Sequence, residues 1–277
     1  MLFERDKDMK YVIASDYDGT VAMPDGISER TKKGIKEFKE KGNIFGIVSG
    51  RDYVNGYLEL KEKGDLDFDF IIMGNGASAC DKDGNIYYSK KINGAMPFGE
   101  TTLAQELVKK CLELTPFPCN IAFEKSRWTF YDDYSFEESN TGIKHEKSTE
   151  IEPIGDFVSA STMCKTEEEA RKVVEILKEE FGKYLNPVQN GWCIDIVPVG
   201  IDKGVGIELL CKELGVCKDQ VWTAGDNYND MPMLEKYHGC AISSGVKEIQ
   251  SVAEYVCDDV YDLVKIILME EQNGNIL

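Results

Sequence analysis

Short apolar runs alternate with longer amphipathic stretches at the start of the chain. The runs Tyr11–Ala14, Ile44–Val48 and Phe70–Met73 have the length and composition of buried strands. A stretch with helical spacing begins after Ser28, a suitable N-cap, and ends at Gly42, and a second helix is predicted before the third run. The order strand, helix, strand, helix, strand predicts parallel strands joined by right-handed crossovers.

The pattern changes in the middle of the chain and returns near its end. Asp81–Asn85 predicts a hairpin turn, and the residues that follow combine two helices with short strands that predict an antiparallel sheet. Beyond this stretch, apolar runs again alternate with helices. We therefore predict an α/β protein with a Rossmann-like, doubly wound parallel sheet as its core (residues 1–80 and 192–277). An α/β domain (81–191) is predicted to be inserted into this core.

Charge and cysteine content exclude several classes of partner. The 277-residue chain carries a formal net charge of −18. Because nucleic acids and anionic membranes bind clustered Lys and Arg, neither is an expected partner. No apolar run is long enough to span a bilayer. Nine single cysteines without a CxxC pair argue against a zinc site and, with a start unlike a signal peptide, predict a cytoplasmic protein with reduced thiols.

Four polar clusters occur at corresponding points of this pattern. Three of them follow an apolar run and the fourth begins a helix: Asp16–Thr20, Ser49–Arg51, Gly225–Asp230 and Lys203. The carboxyl ends of parallel strands meet at one edge of a sheet, where α/β proteins bind their ligands. Taken singly, each cluster has a simpler interpretation as a turn, a helix cap or a surface lysine. Their joint placement predicts one common site.

The residue types in these clusters are those that phosphoryl transfer needs. An aspartate carboxylate can attack phosphorus and form an aspartyl-phosphate. A second carboxylate two residues later lies on the same side of an extended segment, where it can act on the leaving group. Mg²⁺ prefers hard oxygen ligands and lets an anionic nucleophile approach an anionic phosphate. A hydroxyl, backbone N–H groups and a lysine can share the charge of the phosphoryl oxygens.

The four clusters, in this order and spacing, resemble the motifs of the haloacid dehalogenase (HAD) superfamily of phosphohydrolases. The first motif corresponds to Asp16–Thr20, the second to Ser49 in Ser49–Arg51, the third to Lys203 and the fourth to Gly225–Asp230. The resemblance extends over nearly the whole chain. It is closest to the Cof-type subgroup (class IIB), which comprises phosphatases of sugar phosphates and related metabolites with a large α/β cap (C2 type) inserted after the third core strand.

This resemblance implies a role for each residue of the motifs. Asp16 is the expected nucleophile and a Mg²⁺ ligand. Asp18 is expected to act as general acid and then as general base, with its backbone carbonyl on the metal, and Asp226 is the third expected metal ligand. The residues expected to bind the phosphoryl group are Ser49, Gly50, Lys203 and Asn229. Thr20 and Asp230 are expected to support the site.

Several further residues keep two interpretations. Arg51 either pairs with Asp52 or the cap, or orients the substrate. Asn75 either contacts the substrate or shapes its own loop. Three residues of the cap are candidates both for substrate contact and for packing: Arg127, Trp128 and Tyr131.

The sequence therefore predicts a Mg²⁺-dependent phosphatase that hydrolyses a small phosphorylated metabolite, such as a sugar phosphate, through an aspartyl-phosphate. By the same resemblance, the presence of Asp18 favours hydrolysis of an ester over dehalogenation. Two alternatives stay open. One is a phosphomutase of the same superfamily, which returns the phosphoryl group to its substrate. The other is a metabolite-binding or regulatory protein that has kept the fold without the chemistry.

Overall fold

The computed structural model of the protein describes residues 11–131, 143–147 and 151–273. The strands are β1 (Val12–Ser15), β2 (Ile44–Val48), β3 (Phe70–Met73), β4 (Ser78–Asp81), β5 (Ile86–Ser89), β6 (Pro97–Phe98), β7 (Thr101–Thr102), β8 (Cys119–Ala122), β9 (Arg127–Tyr131), β10 (Ile143–Lys147), β11 (Ser159–Met163), β12 (Leu185–Asn190), β13 (Cys193–Pro198), β14 (Val221–Gly225), β15 (His238–Ile242) and β16 (Tyr255–Cys257). The α-helices are α1 (Glu29–Glu40), α2 (Glu59–Lys63), α3 (Leu103–Leu114), α4 (Glu167–Phe181), α5 (Lys203–Leu214), α6 (Met231–Lys236), α7 (Lys247–Gln250) and α8 (Val260–Asn273). No helix within these ranges is long and apolar enough to cross a lipid bilayer.

The first sheet has the strand order β16-β15-β14-β1-β2-β3-β4-β5. Neighbouring strands are parallel from β16 to β3, whereas β4 and β5 continue the sheet antiparallel. Helices α1 and α8 cover one face, where Phe38 packs in the same core as Leu263. Helices α5 and α6 cover the other face, where Leu210 and Met233 share a second core. Helices on both faces of a parallel sheet confirm the predicted doubly wound core.

The second sheet has the order β10-β9-β8-β11-β13-β12 and is antiparallel except between β9 and β10. Helices α3 and α4 pack on one of its faces, where Leu107 and Leu177 share a hydrophobic core with Ile194. The opposite face carries Arg127 and Asp195 and meets the loops of the first sheet, as the contacts of these two residues described below establish. A small apolar cluster, which includes Val197 of the cap and Ala77 of the core, also lies there. This sheet and its helices form the predicted α/β cap.

Two strands do not follow the domain boundaries predicted at residues 81 and 192. Strand β5 lies beyond residue 81 but belongs to the first sheet, because it forms an antiparallel hairpin with β4. Strand β13 lies beyond residue 192 but belongs to the second sheet, because it pairs with β11 and β12. The boundary predicted at 192 thus falls in the turn of the β12–β13 hairpin. The chain crosses between the sheets after Ser89 and again after Pro198.

The two helices predicted near the start of the chain differ in regularity. Helix α1 begins as predicted, since Ser28 Oγ accepts a hydrogen bond from the N–H of Thr31 at 3.0 Å. The second helix starts with a π-helical turn over Val54–Leu58, which leads into the short helix α2. Asp52 caps this turn, because its Oδ1 accepts from the N–H of Val54 at 2.8 Å.

Candidate active site

The loop after β1 carries the first polar cluster to the carboxyl edge of the core sheet. Asp16 directly follows β1, and its N–H donates to the carbonyl of Ala224 in β14 at 2.8 Å. Gly19 adopts φ +85°, and a Cβ at this position would lie 2.5 Å from Asp226 Oδ2. Only glycine permits both the backbone angle and the close approach of the carboxylate. The first and fourth clusters therefore lie against each other.

Lys203 contacts both of these clusters. Its side chain is fully buried, and its Nζ lies 2.6 Å from Asp16 Oδ1 and 2.5 Å from Asp230 Oδ1. Lys203 is the first residue of α5, whose N-cap Asp202 accepts from the N–H of Val205 at 2.8 Å. This cap fixes where the helix begins and therefore where the ammonium lies.

Asp230 uses both of its carboxylate oxygens within the protein. Oδ1 accepts from Lys203, and Oδ2 accepts from the N–H groups of Asp226 at 2.9 Å and Asn227 at 3.0 Å. The carboxylates of Asp16, Asp226 and Asp230 lie within 4.8 Å of one another, close enough to hold a metal ion. Because Asp230 is fully buried and engaged, Asp16 and Asp226 are the carboxylates best placed to bind a cation.

The acidic cluster has more negative than positive charge. When ionised, Asp16, Asp226 and Asp230 carry three negative charges against the single ammonium of Lys203. Burial raises the pKa of Asp16 well above its usual range, against the opposing effect of Lys203. Burial and then the charge of Asp230 raise the pKa of Asp226, against a hydrogen bond from Thr20 Oγ1 at 2.8 Å. Burial by itself would lower the pKa of Lys203. The carboxylates of Asp16 and Asp230 outweigh this effect, so the pKa of Lys203 is raised.

The second cluster forms the loop between β2 and the irregular helix. Ser49 is buried, and its Oγ accepts from the N–H of Arg51 at 3.2 Å. Its carbonyl accepts from the N–H of Asn75 at 2.9 Å, which links this loop to the end of β3. A Cβ on Gly50 would lie 2.3 Å from Asp195 Oδ2 of the cap. The loop therefore has no room for a side chain at position 50.

Asp18 lies outside the acidic cluster, in an ion pair with Arg51. The Nε and Nη2 atoms of Arg51 each donate to one oxygen of Asp18 at 2.8 Å, and Nη1 donates to Glu59 at 2.9 Å. The Asp18 side chain is 54% exposed. Both carboxylate oxygens of Asp18 are thus engaged in a bidentate, charge-assisted pair. Asp52, one of the partners left open for Arg51, instead contacts Arg127 of the cap.

Asp52 and Arg127 connect the core to the cap. The Nε and Nη2 atoms of Arg127 lie 2.7 and 2.6 Å from Asp52 Oδ2, and both side chains are only 10% exposed. Arg127 thus forms a buried ion pair, which was neither of its two predicted roles. Trp128, its neighbour on β9, is half-buried against the cap core and packs edge-on against Phe123 and Phe130.

We expect Arg127→Met to lower the free energy of unfolding by about 3 kcal/mol, because it leaves the Asp52 carboxylate buried without a partner. Urea denaturation at pH 7 measures this loss. Asp52→Asn is the matched second variant, since its amide oxygen can still cap the helical turn at Val54. The double variant should lose clearly less stability than the sum of the single variants. Additive losses would show that the two side chains do not act as a pair.

Asp195 also lies at this site, although it belongs to none of the four sequence clusters. It lies between Ile194 and Ile196, which are buried in the core of the cap. Asn75 Nδ2 donates to Asp195 Oδ2 at 2.7 Å, and Asn75 Oδ1 accepts from Asn229 Nδ2 at 3.2 Å. The available signal was the alternation, because an acid between two buried residues of a strand must lie on the opposite face.

The chain is similar to known proteins in sequence and in fold. Residues 13–264 match the family model of haloacid dehalogenase-like hydrolases. The 5-amino-6-(5-phospho-D-ribitylamino)uracil phosphatase YitU of Bacillus subtilis is 22% identical over 258 residues, which cover 88% of this chain and 90% of YitU. A solved sugar phosphatase of HAD subclass IIB is 20% identical and superimposes with a TM-score of 0.70 over 97% of this chain and all of its own. A haloacid dehalogenase-like hydrolase from B. subtilis superimposes with a TM-score of 0.74 at 17% identity, over 92% of this chain and 99% of its own.

Proposed function

Because the chain belongs to the family of haloacid dehalogenase-like hydrolases, we propose that it hydrolyses a small phosphorylated metabolite through an aspartyl-phosphate, with Mg²⁺ as cofactor. The family and the phosphatase relative confirm the predicted class of enzyme, a hydrolase of phosphoric monoesters. A sugar phosphate or a related small ester is the substrate class that we favour, since a solved neighbour with the same fold is a sugar phosphatase.

The observation that carries this proposal is the fully buried Lys203 between Asp16 and Asp230. A buried ammonium that holds one carboxylate at the end of a central strand orients that carboxylate and attracts an anionic substrate. Asp16 Oδ2, the oxygen that does not accept from Lys203, is the atom that would attack phosphorus. Asp230 would hold the lysine and the loop in place, without contact to the substrate.

Residues of this chain would carry out both chemical steps of the hydrolysis. Asp16 attacks phosphorus, the ester P–O bond breaks, and Asp18 gives a proton to the leaving oxygen. A water molecule then attacks the aspartyl-phosphate and gives its proton to Asp18, which restores both residues and releases phosphate. Ser49, the N–H of Gly50 and Lys203 would bind the phosphoryl oxygens during both steps. Asn229 would orient the phosphoryl group from the fourth cluster.

The donor set fits a hard divalent cation. Asp16 and Asp226 offer carboxylate oxygens, the backbone carbonyl of Asp18 is the expected third ligand, and Thr20 orients Asp226. Burial first, and the neighbouring carboxylate of Asp230 after it, raise the pKa values of Asp16 and Asp226, so a cation bound between them would favour their ionised forms. When bound, Mg²⁺ would keep these groups ionised and offset the charge of the phosphate.

A phosphate-release screen over phosphorylated sugars, nucleotides and cofactors tests the proposed function. We expect release from at least one ester with Mg²⁺ and none after chelation with EDTA, with activity restored when Mg²⁺ is added back. Activity that needs an added bisphosphate would favour the phosphomutase. If no ester in the panel is hydrolysed with Mg²⁺ present, the chain is better described as a binding protein.

A further inference from the structure

Asp195 is a buried carboxylate that the cap contributes to the phosphate-binding loops. It lies on β13, and its side chain is on the face opposite to the hydrophobic core of the cap. The residue is only 8% exposed. Its Oδ2 accepts from Asn75 Nδ2 at 2.7 Å and lies so close to Gly50 that a Cβ there would be 2.3 Å away. One atom of the cap therefore contacts both loops that follow β2 and β3.

Asn75 is held in an unusual conformation at this point. Among the described residues it is the non-glycine residue with a positive φ, at +46°. Its N–H donates to the carbonyl of Ser49 at 2.9 Å, and the residue is 1% exposed. Left-handed backbone at a non-glycine residue is concentrated at functional sites, where surrounding contacts hold it in place. The surrounding contacts here are Ser49 on one side and Asp195 on the other.

The carboxylate of Asp195 determines which way the Asn75 amide faces. An ionised carboxylate only accepts hydrogen bonds, so the NH₂ group of Asn75 must point toward it. The Oδ1 of Asn75 then points away from Asp195 and accepts from Asn229 Nδ2 at 3.2 Å. If the Asn75 amide were reversed, two donors would face each other at Asn229 and two acceptors at Asp195.

We propose that Asp195 is a positioning residue for phosphate binding: it fixes the amide of Asn75, and through Asn75 it fixes Asn229. This inference rests on the proposed function, because Asn229 belongs to the expected phosphate-binding set. Burial raises the pKa of Asp195 to about 6. The hydrogen bond from Asn75 and the charge of Lys203 lower this pKa, and the charge of Asp52 raises it, but burial has the largest effect. At pH 7.5 the carboxylate is thus mainly ionised and can act only as an acceptor.

Asp195→Asn tests this relay, because the new amide has the same shape but can both donate and accept. We expect the affinity for inorganic phosphate, measured by calorimetry with Mg²⁺ at pH 7.5, to fall by about 10- to 100-fold. The kcat for 4-nitrophenyl phosphate should fall with it, while the melting temperature changes little. Lys125→Gln is the matched control, since it removes a different contact between cap and core, the hydrogen bond to the Gly84 carbonyl. It should leave phosphate affinity unchanged.

A double-mutant cycle separates positioning from simple packing. Asn75→Gly removes the relay without strain, because glycine adopts φ +46° readily. In that background Asp195→Asn should cause no further loss of phosphate affinity, whereas a packing role would give additive losses and overturn the proposal. If Asp195→Asn does not fold, Asn75→Gly alone must show the loss, and wild-type affinity in that variant also overturns it. Wild-type protein that neither binds phosphate nor hydrolyses any ester would instead refute the proposed function.

Discussion

Asp16→Asn is expected to reduce phosphate release on the order of 10⁴-fold or more, because an amide cannot act as the nucleophile. The fold should be kept, because asparagine has the same shape and its Oδ1 can still accept a hydrogen bond from Lys203. The ion pair between Lys203 and Asp230 is also unchanged. Stability without metal should even rise slightly at pH 7. The reason is that burial disfavours the ionised form of Asp16, as its raised pKa shows. Thermal unfolding and a phosphate-release assay measure the two effects.

Asp18→Asn is the matched comparison for Asp16→Asn, because it removes the proposed proton donor and keeps the proposed nucleophile. Asp18 is half-exposed and lies in the fork of Arg51, outside the acidic cluster. Loss of the general acid should lower kcat/KM, which reports the first chemical step, by about 10²- to 10⁴-fold for an alkyl phosphate, and by less for 4-nitrophenyl phosphate, whose leaving group needs no proton. Asp16→Asn should be equally inactive toward both esters. Full activity in Asp16→Asn, or the same leaving-group dependence in both variants, would refute the assigned roles.

Lys203→Met is expected to lower both activity and stability. Removal of one preorganised cation from the phosphate site should reduce kcat/KM by about 10²- to 10³-fold. The same change leaves Asp16 and Asp230 buried without a counter-charge, which should cost about 3–5 kcal/mol in the free energy of unfolding at pH 7. Urea denaturation and steady-state kinetics measure these losses.

The stability lost in Lys203→Met should depend on pH. The pKa values of Asp16 and Asp226 are raised in the folded protein, so their protonated forms contribute stability below their unfolded pKa, and this contribution is lost as pH rises. Lys203 stays charged throughout this range because its own pKa is raised. The stability difference between wild type and Lys203→Met should therefore be larger at pH 8 than at pH 5. A difference that is independent of pH would argue against the ionic origin of the effect.

Lys39→Met is the matched control for this prediction. Lys39 also contacts two carboxylates, Asp67 at 2.5 Å and Asp69 at 3.0 Å. The Lys39 side chain is 15% exposed, but those of Asp67 and Asp69 are 72% and 33% exposed, in contrast to the buried partners of Lys203. Exposed ion pairs contribute about 1 kcal/mol or less. Lys39→Met should therefore cost far less stability than Lys203→Met and leave phosphate release unchanged. A similar cost for both variants would mean that burial is not what makes Lys203 important.

Much of the core could be predicted because its signals are local. The apolar runs that became β1, β2 and β14 are each followed by a helix, and a polar cluster comes directly after each run in the sequence. The strand order of a doubly wound sheet then brings Asp16, Asp226 and Lys203 to one edge, as the distances confirm. The sequence contained all the information needed for this step, because the carboxyl ends of parallel strands must coincide.

The contacts between cap and core could not be predicted in this way. Asp52 and Arg127 are separated by 75 residues, and Asn75 and Asp195 by 120 residues. No periodicity relates such positions, so their pairing depends on how the cap sheet lies over the loops. The predicted domain boundaries at residues 81 and 192 were misplaced for a related reason. The sheet to which β5 or β13 belongs depends on the strand with which it pairs, and a single sequence does not show that partner.

The path of the chain between β13 and α5 constrains how caps can be exchanged between relatives. Strand β13 ends at Pro198 and α5 begins at Lys203, so the cap strand that carries Asp195 leads within a few residues to the lysine that we propose binds phosphate. A chimaera joined at residue 192 would cut the β12–β13 hairpin, whereas joints after Ser89 and after Pro198 keep both sheets whole. Such a graft still imports the side chain that touches Gly50. In this protein an exchanged cap would therefore change more than the contacts to the substrate, because it would also replace the side chain beside Gly50 in the proposed phosphate site.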